Sequence, residues 1–196
     1  MARHRRPVRV SRVHGDERVG PDMSVNISDR AFISKLADIE GSVRGTKIVI
    51  EEGVHIDSFV KIKPVGGRGD ILIGRNTYIN SGTVIYSGNG VRIGSDVLIA
   101  ANCTIAPVNH EYRRRDMKIV EQRFGPSKGG VIIEDDVWIG ANTVLVDGAI
   151  VRRGCVIGAN SLVNRELEPY SICVGSPVRV IGFRTMTDTT GTTETR

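Results

Sequence analysis

Read from Ile133, the chain places an apolar residue at every sixth position: IEDDVW, IGANTV, LVDGAI, VRRGCV, IGANSL. Each hexad opens with Ile, Leu or Val. The third or fourth place often holds Asp, Asn or Gly, and the fifth usually holds Val, Thr, Ala, Cys or Ser. The pattern recurs upstream as IGSDVL, IAANCT, IAPVNH from Ile93, IGRNTY, INSGTV from Ile73, and IEEGVH, IDSFVK from Ile50. A weaker copy, ISKLAD, IEGSVR, starts at Ile33. A period of six fits neither an amphipathic helix nor an alternating strand. It predicts a solenoid in which each hexad is a short strand and a turn. Three hexads close a triangular coil, and the coils stack as parallel sheets. The opening aliphatic then points inward, the small fifth residue fills the corner, and Gly, Asn or Asp takes up the positive φ of the turn.

The period is interrupted in three places. Short interruptions follow Ile62 and Ile85. A long one follows Ile105, and the next opening aliphatic of the clear run is Ile133. A solenoid accepts insertions where two sheets meet, because the loop projects without breaking the stack. The long insertion, NHEYRRRDMKIVEQRFGPSKGG, is polar, basic and ends in glycine, so it is expected to be an exposed excursion. Loops of such length in compact domains are more often functional or disordered than idle. The expected organisation is a basic irregular segment over 1–29 and a β-helix over 30–168 with an inserted loop over 107–130. A C-terminal closure over 169–184 and a disordered polar tail over 185–196 follow.

Composition supports this reading. The 196 residues suffice for one domain. Aromatics make up only 5% and glycines number 23, as a narrow triangular interior demands. Cys103, Cys155 and Cys173 are odd in number and widely spaced, which argues against a disulfide framework or a zinc site and points to a reducing cytoplasm. Cys103 and Cys155 fall on fifth places and read as small core residues. No apolar run approaches the ~20 residues of a membrane span. The basic N-terminus has no apolar stretch behind it and is not expected to be a secretory signal. The net charge of +5 suits an anionic ligand, although much of it lies in RHRRPVRVSR, which reads as a solvated arm. No pattern of a nucleic-acid-binding module is present.

The hexads resemble those of the hexapeptide-repeat acyltransferases. IIEDDVWIGANTVL, followed by VIGANSLVNRELEPYSICVGSPVRVIG, resembles the last coils and C-terminal closure of the galactoside, maltose and nodulation-factor acetyltransferase group. The resemblance implies an all-β left-handed parallel β-helix and acetyl-CoA as co-substrate, without a metal. It implies O-acetylation of a sugar or of a polysaccharide or glycolipid precursor, in a homotrimer with sites between subunits. His110, at the start of the protruding loop, matches the family's general base. An acceptor hydroxyl needs such a base as it attacks a thioester, and imidazole titrates in the right range. Asn80, in YINSGT, matches an asparagine that binds acceptor or acyl groups, and also reads as a turn residue. Ala141 and Ala159 match positions of the pantetheine slot, where the N–H near Ala141 would stabilise an oxyanion. Trp138 falls on an outward sixth place, and the resemblance puts it beside the slot and a neighbouring subunit. Asn164 and Arg165 stand where the family usually has Thr-Lys, and Arg179 replaces a Lys in GSPVR. Both arginines are assigned to the phosphates of CoA.

Other readings follow from the same scaffold. One is N-acetylation of a nucleotide-linked amino sugar or an antibiotic. A γ-type carbonic anhydrase needs three zinc-binding imidazoles, and only His55 and His110 lie within the repeats. A non-catalytic scaffold would bind no acyl-CoA. A sugar nucleotidyltransferase is not expected, because no βαβ pattern precedes the repeats in this sequence. His55 takes an outward sixth place as a surface residue, and His4 and His14 lie in the basic arm.

Overall fold

The structure, a computed structural model, describes residues 24–187 together with 193 and 194. The basic arm with His4 and His14 lies outside the described residues. So do 188–192, 195 and 196 of the polar tail.

Each coil contributes three short strands. The first holds β1 (Val25–Ile27), β2 (Phe32–Ile33) and β3 (Asp38–Ile39). The second holds β4 (Ile48–Ile50), β5 (His55–Ile56) and β6 (Lys61–Lys63), and the third holds β7 (Ile71–Ile73), β8 (Tyr78–Ile79) and β9 (Val84–Tyr86). The fourth holds β10 (Val91–Ile93), β11 (Leu98–Ile99) and β12 (Thr104–Ala106). An excursion carrying the one-turn helix α1 (Ile119–Gln122) follows. The fifth coil holds β13 (Val131–Ile133), β14 (Trp138–Ile139) and β15 (Val144–Val146), and the sixth holds β16 (Ile150–Val151), β17 (Val156–Ile157) and β18 (Leu162–Val163). β19 (Glu166–Leu167) and β20 (Ser171–Val174) begin a seventh, which β21 (Arg179–Phe183) closes by folding back antiparallel on β20. In the tail, β22 (Met186–Thr187) pairs with β23 (Thr193–Glu194). Every other pairing is parallel, and the strands stack into sheets of seven, eight and six, here numbered 1 to 3. The fold is a left-handed parallel β-helix.

The hexad predicts this interior place by place. Opening residues such as Ile56, Ile62, Ile79, Ile85, Ile99, Ile105 and Ile139 are wholly buried. So are the fifth-place residues Val54, Thr77, Thr83, Val97, Cys103 and Cys155. Each buried Ile contributes roughly 1.5–3 kcal/mol. The threonines keep their hydroxyls satisfied on the next coil: Thr77 Oγ1 donates to the Gly94 carbonyl (2.9 Å) and Thr83 Oγ1 to that of Ala100 (3.2 Å). The fourth place takes positive φ in most hexads, as at Asn76, Asp96, Asn102, Asp136, Asn142 and Asn160, but not at Leu36 or Ser42 of the weaker first copy. Phe59 and Tyr170 are the exceptions in chemistry, bulky side chains at φ +63° and +61° with their rings exposed.

Three features differ from the sequence expectation. First, the helix begins at β1, ahead of residue 30, because Val25–Ile27 pairs in register with Ile48–Ile50. It also continues through β20, past residue 168, because Ile157 pairs with Cys173. Second, the repeat is also interrupted after Ile39, and it is shortened between Val163 and Leu167. Every irregularity therefore falls on one edge, where the chain passes from sheet 3 to sheet 1. The other two edges keep strict hexads. Third, His55 is not a plain surface residue. Its ring stacks between those of Phe32 (4.3 Å) and Tyr78 (5.5 Å). These rings belong to an outward column on sheet 2, Phe32–His55–Tyr78–Leu98–Trp138–Val156–Ile172, paired strand by strand.

Candidate functional site

The irregular edge carries the site's centre. Its short loops pack backbone against backbone. A Cβ on Gly67 would lie 2.0 Å from the Gly88 carbonyl oxygen, and one on Gly130 would lie 2.4 Å from that of Gly90. Glycine is needed there for close approach. On this floor the long excursion leaves the fourth coil.

His110 does not sit on the rigid coil as its hexad suggests. The register lapses after Val108: Asn109, a fifth place, is exposed, whereas Ala149 at the same place in the next coil is buried. Instead the excursion pairs with its own return leg. The Glu111 N–H donates to the Arg123 carbonyl (3.0 Å), the Gly125 N–H donates to that of Asn109 (2.9 Å), and His110 bridges Phe124 antiparallel. The Phe124 ring lies 5.0 Å from the imidazole. His110 Nδ1 is 3.0 Å from the Arg123 carbonyl oxygen. A carbonyl only accepts, so Nδ1 carries a proton, and in the neutral ring the lone pair is then on Nε2. The ring is exposed, and its basic nitrogen is free.

The excursion holds its shape through further contacts. Gln122 accepts from the Arg114 N–H (3.0 Å) and donates to the carbonyls of Arg114 (2.8 Å) and Met117 (2.9 Å). The Glu111 carboxylate accepts from the N–H groups of Arg113 and Tyr112, which hold it below the ordinary carboxylate range. The return end is tied to the fifth coil by Asp147, a buried carboxylate on the N–H groups of Lys128 (2.7 Å) and Gly130 (2.8 Å). Sequence reasoning missed Asp147, Gln122, Arg123 and Phe124. The first two looked like ordinary turn and loop residues, and the last two act through a pairing that no local pattern announces.

The other assigned residues lie elsewhere in the chain. Asn80, Ala141 and Ala159 share the edge between sheets 2 and 3, in the third, fifth and sixth coils. Asn80 Nδ2 donates to the Ile99 carbonyl (2.8 Å), so the side chain braces the next coil and keeps its oxygen free. The coils stack tightly here, with the Asn160 N–H on the Ala141 carbonyl (2.9 Å). The N–H groups of Ala141 and Ala159 donate to no atom among the described residues. Trp138 is 53% exposed, between Leu98 and Val156 in the sheet 2 column beside this edge. Asn164 and Arg165 are exposed on the irregular edge, two coils beyond the excursion, and Arg179 is exposed on β21. Neither arginine has an ion pair among the described residues, whereas Arg152, Arg113 and Arg114 do. His110 and the Asn80–Ala141–Ala159 edge thus lie on opposite sides of sheet 3. At a strand rise of ~3.3 Å per residue the gap is ~15–20 Å. One chain does not bring them together.

Chemically, the parts are an accessible imidazole base, an edge of small residues with unspent N–H donors, and unpaired guanidinium groups. Unspent N–H donors suit carbonyl oxygens, and unpaired guanidinium groups suit phosphates. Cys103 and Cys155 are buried, and burial pushes both thiols up, so neither serves as a nucleophile. Among the described residues no cluster of three or more His, Cys, Asp or Glu could hold a metal. No helix among them is long and apolar enough to cross a membrane.

The chain is similar to known proteins in sequence and in fold. Residues 130–165 match the model of the bacterial transferase hexapeptide (six repeats). The galactoside O-acetyltransferase of Escherichia coli is 37% identical over 116 residues, 57% of this chain and 53% of that protein. A crystal structure of an AntD variant superposes with a TM-score of 0.70 at 27% identity, covering 81% of this chain and 83% of that one. AntD is an N-acyltransferase from Bacillus cereus, there in complex with dTDP-4-amino-4,6-dideoxyglucose and coenzyme A. The hexapeptide-repeat acetyltransferase VCA0836 of Vibrio cholerae, in complex with acetyl coenzyme A, gives a TM-score of 0.54 at 32% identity, covering 62% and 64%. The chain spans about half the length of the curated relatives it matches first.

Proposed function

We propose, from the likeness of this chain to the hexapeptide-repeat transferases, that it moves an acetyl group from acetyl-CoA to a sugar hydroxyl. The observation that carries this reading is the Nδ1 contact of His110 with the Arg123 carbonyl, 3.0 Å, which leaves Nε2 as the base. His110 takes the proton of the acceptor hydroxyl as its oxygen attacks the thioester carbonyl. The imidazolium then gives that proton to the departing CoA sulfur, so protons balance and no acyl-enzyme forms. The N–H of Ala141 faces the charge that develops on the carbonyl oxygen, Ala159 lines the pantetheine, and Asn80 orients the acceptor. Arg165 and Arg179, with Asn164, take the phosphates of CoA. Trp138 packs beside the slot.

Because His110 and the alanine edge face away from each other in one chain, the working unit is a homotrimer with each site shared between neighbours. The outward apolar column on sheet 2 adjoins the alanine edge and offers surface for that contact. The acceptor is a sugar or a polysaccharide or glycolipid precursor. The buried free cysteines and the use of acetyl-CoA fit a reducing cytoplasm.

The likeness to AntD favours a second reading, acyl transfer to the amine of a nucleotide-linked amino sugar. An amine that binds unprotonated needs less help from a base. Thiol release from acetyl-CoA, measured against a panel of sugar hydroxyls and sugar amines, separates the two. Turnover on hydroxyl acceptors supports the first reading, and turnover on amines alone ends it. Absence of acyl-CoA binding by calorimetry would end both.

A further inference from the structure

We infer that Arg123 is a positioning residue for the base, acting through its backbone: an unfavourable left-handed conformation there aims the carbonyl that fixes the His110 tautomer. Arg123 has φ +62° and ψ −130°, at the C-terminal end of α1. Non-glycine residues rarely adopt such angles, and where they persist the surroundings hold them. Here the surroundings can be named. Before Arg123, the Gln122 amide is fixed on Arg114 and Met117. After it, Phe124 bridges His110 and lays its ring against the imidazole. The Arg123 guanidinium has no partner among the described residues, so no ion pair of its own accounts for the conformation. What the conformation achieves is a carbonyl that accepts two hydrogen bonds at 3.0 Å each. One comes from the Glu111 N–H, which locks the antiparallel pairing, and the other from His110 Nδ1, which sets the ring.

Without that acceptor the neutral imidazole would divide between two tautomers, and only the one protonated on Nδ1 has a basic Nε2. The strained residue therefore supports the chemistry without touching a reactant. The inference rests on His110 being the base.

The test compares wild type, R123G, R123V and H110A, using histidine labelled with ¹⁵N and initial rates of thiol release from acetyl-CoA. Glycine takes positive φ freely, whereas a β-branched residue resists it. The expected wild-type spectrum shows the His110 ring protonated on Nδ1. R123V should show mixed tautomers and a kcat roughly 2- to 10-fold below that of R123G, the size of one neutral hydrogen bond, with KM for acetyl-CoA alike in both. A wild-type ring protonated on Nε2 would overturn the inference, and it needs no variant to fold. Equal kcat and equal spectra for R123V and R123G would overturn it as well. Wild-type rates in H110A would instead remove the base reading beneath it, an outcome the wild-type spectrum does not mimic.

Discussion

Asp147 is expected to hold the excursion to the β-helix, and its removal tests how the site is anchored. Its carboxylate is 2% exposed and accepts the N–H groups of Lys128 and Gly130 at 2.7 and 2.8 Å. The Gly130 carbonyl in turn accepts the Gly148 N–H (2.7 Å), so the return leg is tied on both sides of one residue. Hydrogen bonds to a charged group contribute about 1.5–3 kcal/mol each. In D147A the exposed Lys128 N–H regains water, but the N–H of buried Gly130 loses its partner. The net cost is about 3 kcal/mol, which for a chain of this size lowers Tm by roughly 6–12 °C. D147N keeps one acceptor oxygen and should fall between. Calorimetry at one protein concentration measures this. Arg123, which fixes the His110 ring, belongs to the same returning segment, so D147A should also lower kcat more than it weakens acetyl-CoA binding. A D147A Tm within about 2 °C of wild type would refute the anchoring argument.

Two further outcomes follow from the packing and the charges. A Cβ on Gly140 would lie 2.5 Å from the Ala159 nitrogen and 2.9 Å from its Cα, and backbone cannot yield, so G140A should cost about 1–3 kcal/mol in urea unfolding; an unchanged midpoint would contradict the tight stacking of that edge. Arg152 donates to Glu134 at 2.6 Å and holds that carboxylate below its ordinary value of 4.5. A depressed folded pKa stabilises above the unfolded value and loses that contribution as pH falls through the folded one. Tm should therefore drop more steeply below pH ~4.5 in wild type than in E134Q, and the difference should shrink in high salt because both side chains are partly exposed; parallel pH profiles would contradict the pairing.

The interior was legible in the sequence because a period of six maps each place to one environment. Ile99 or Cys103 needs no knowledge of distant residues to be placed inside. One more hexad, ISDRAF from Ile27, was legible by the same rule, and it carries the coil that precedes residue 30. The common edge of the interruptions was also present in the spacing, since Ile39, Ile62, Ile85 and Ile105 all precede a passage to sheet 1. Of the residues grouped around the exposed imidazole, only His110 itself was legible. Its tautomer depends on Arg123 and Phe124, whose pairing with it closes a long loop and follows from no local periodicity. Asp147 looks like any turn aspartate in LVDGAI, and burial against Gly130 sets it apart only in three dimensions. Val108 and Asn109 show the opposite failure: the hexad IAPVNH continues in sequence after the coil has ended in structure.

The claim at the centre is that His110 removes a proton from the acceptor during acetyl transfer. The most direct measurement is kcat/KM of H110A against wild type, by thiol release from acetyl-CoA with an accepted sugar, alongside calorimetric acetyl-CoA affinity. H110A should lose ~10²-fold or more in kcat/KM with acetyl-CoA binding intact. An H110A enzyme that transfers acetyl at the wild-type rate would contradict it.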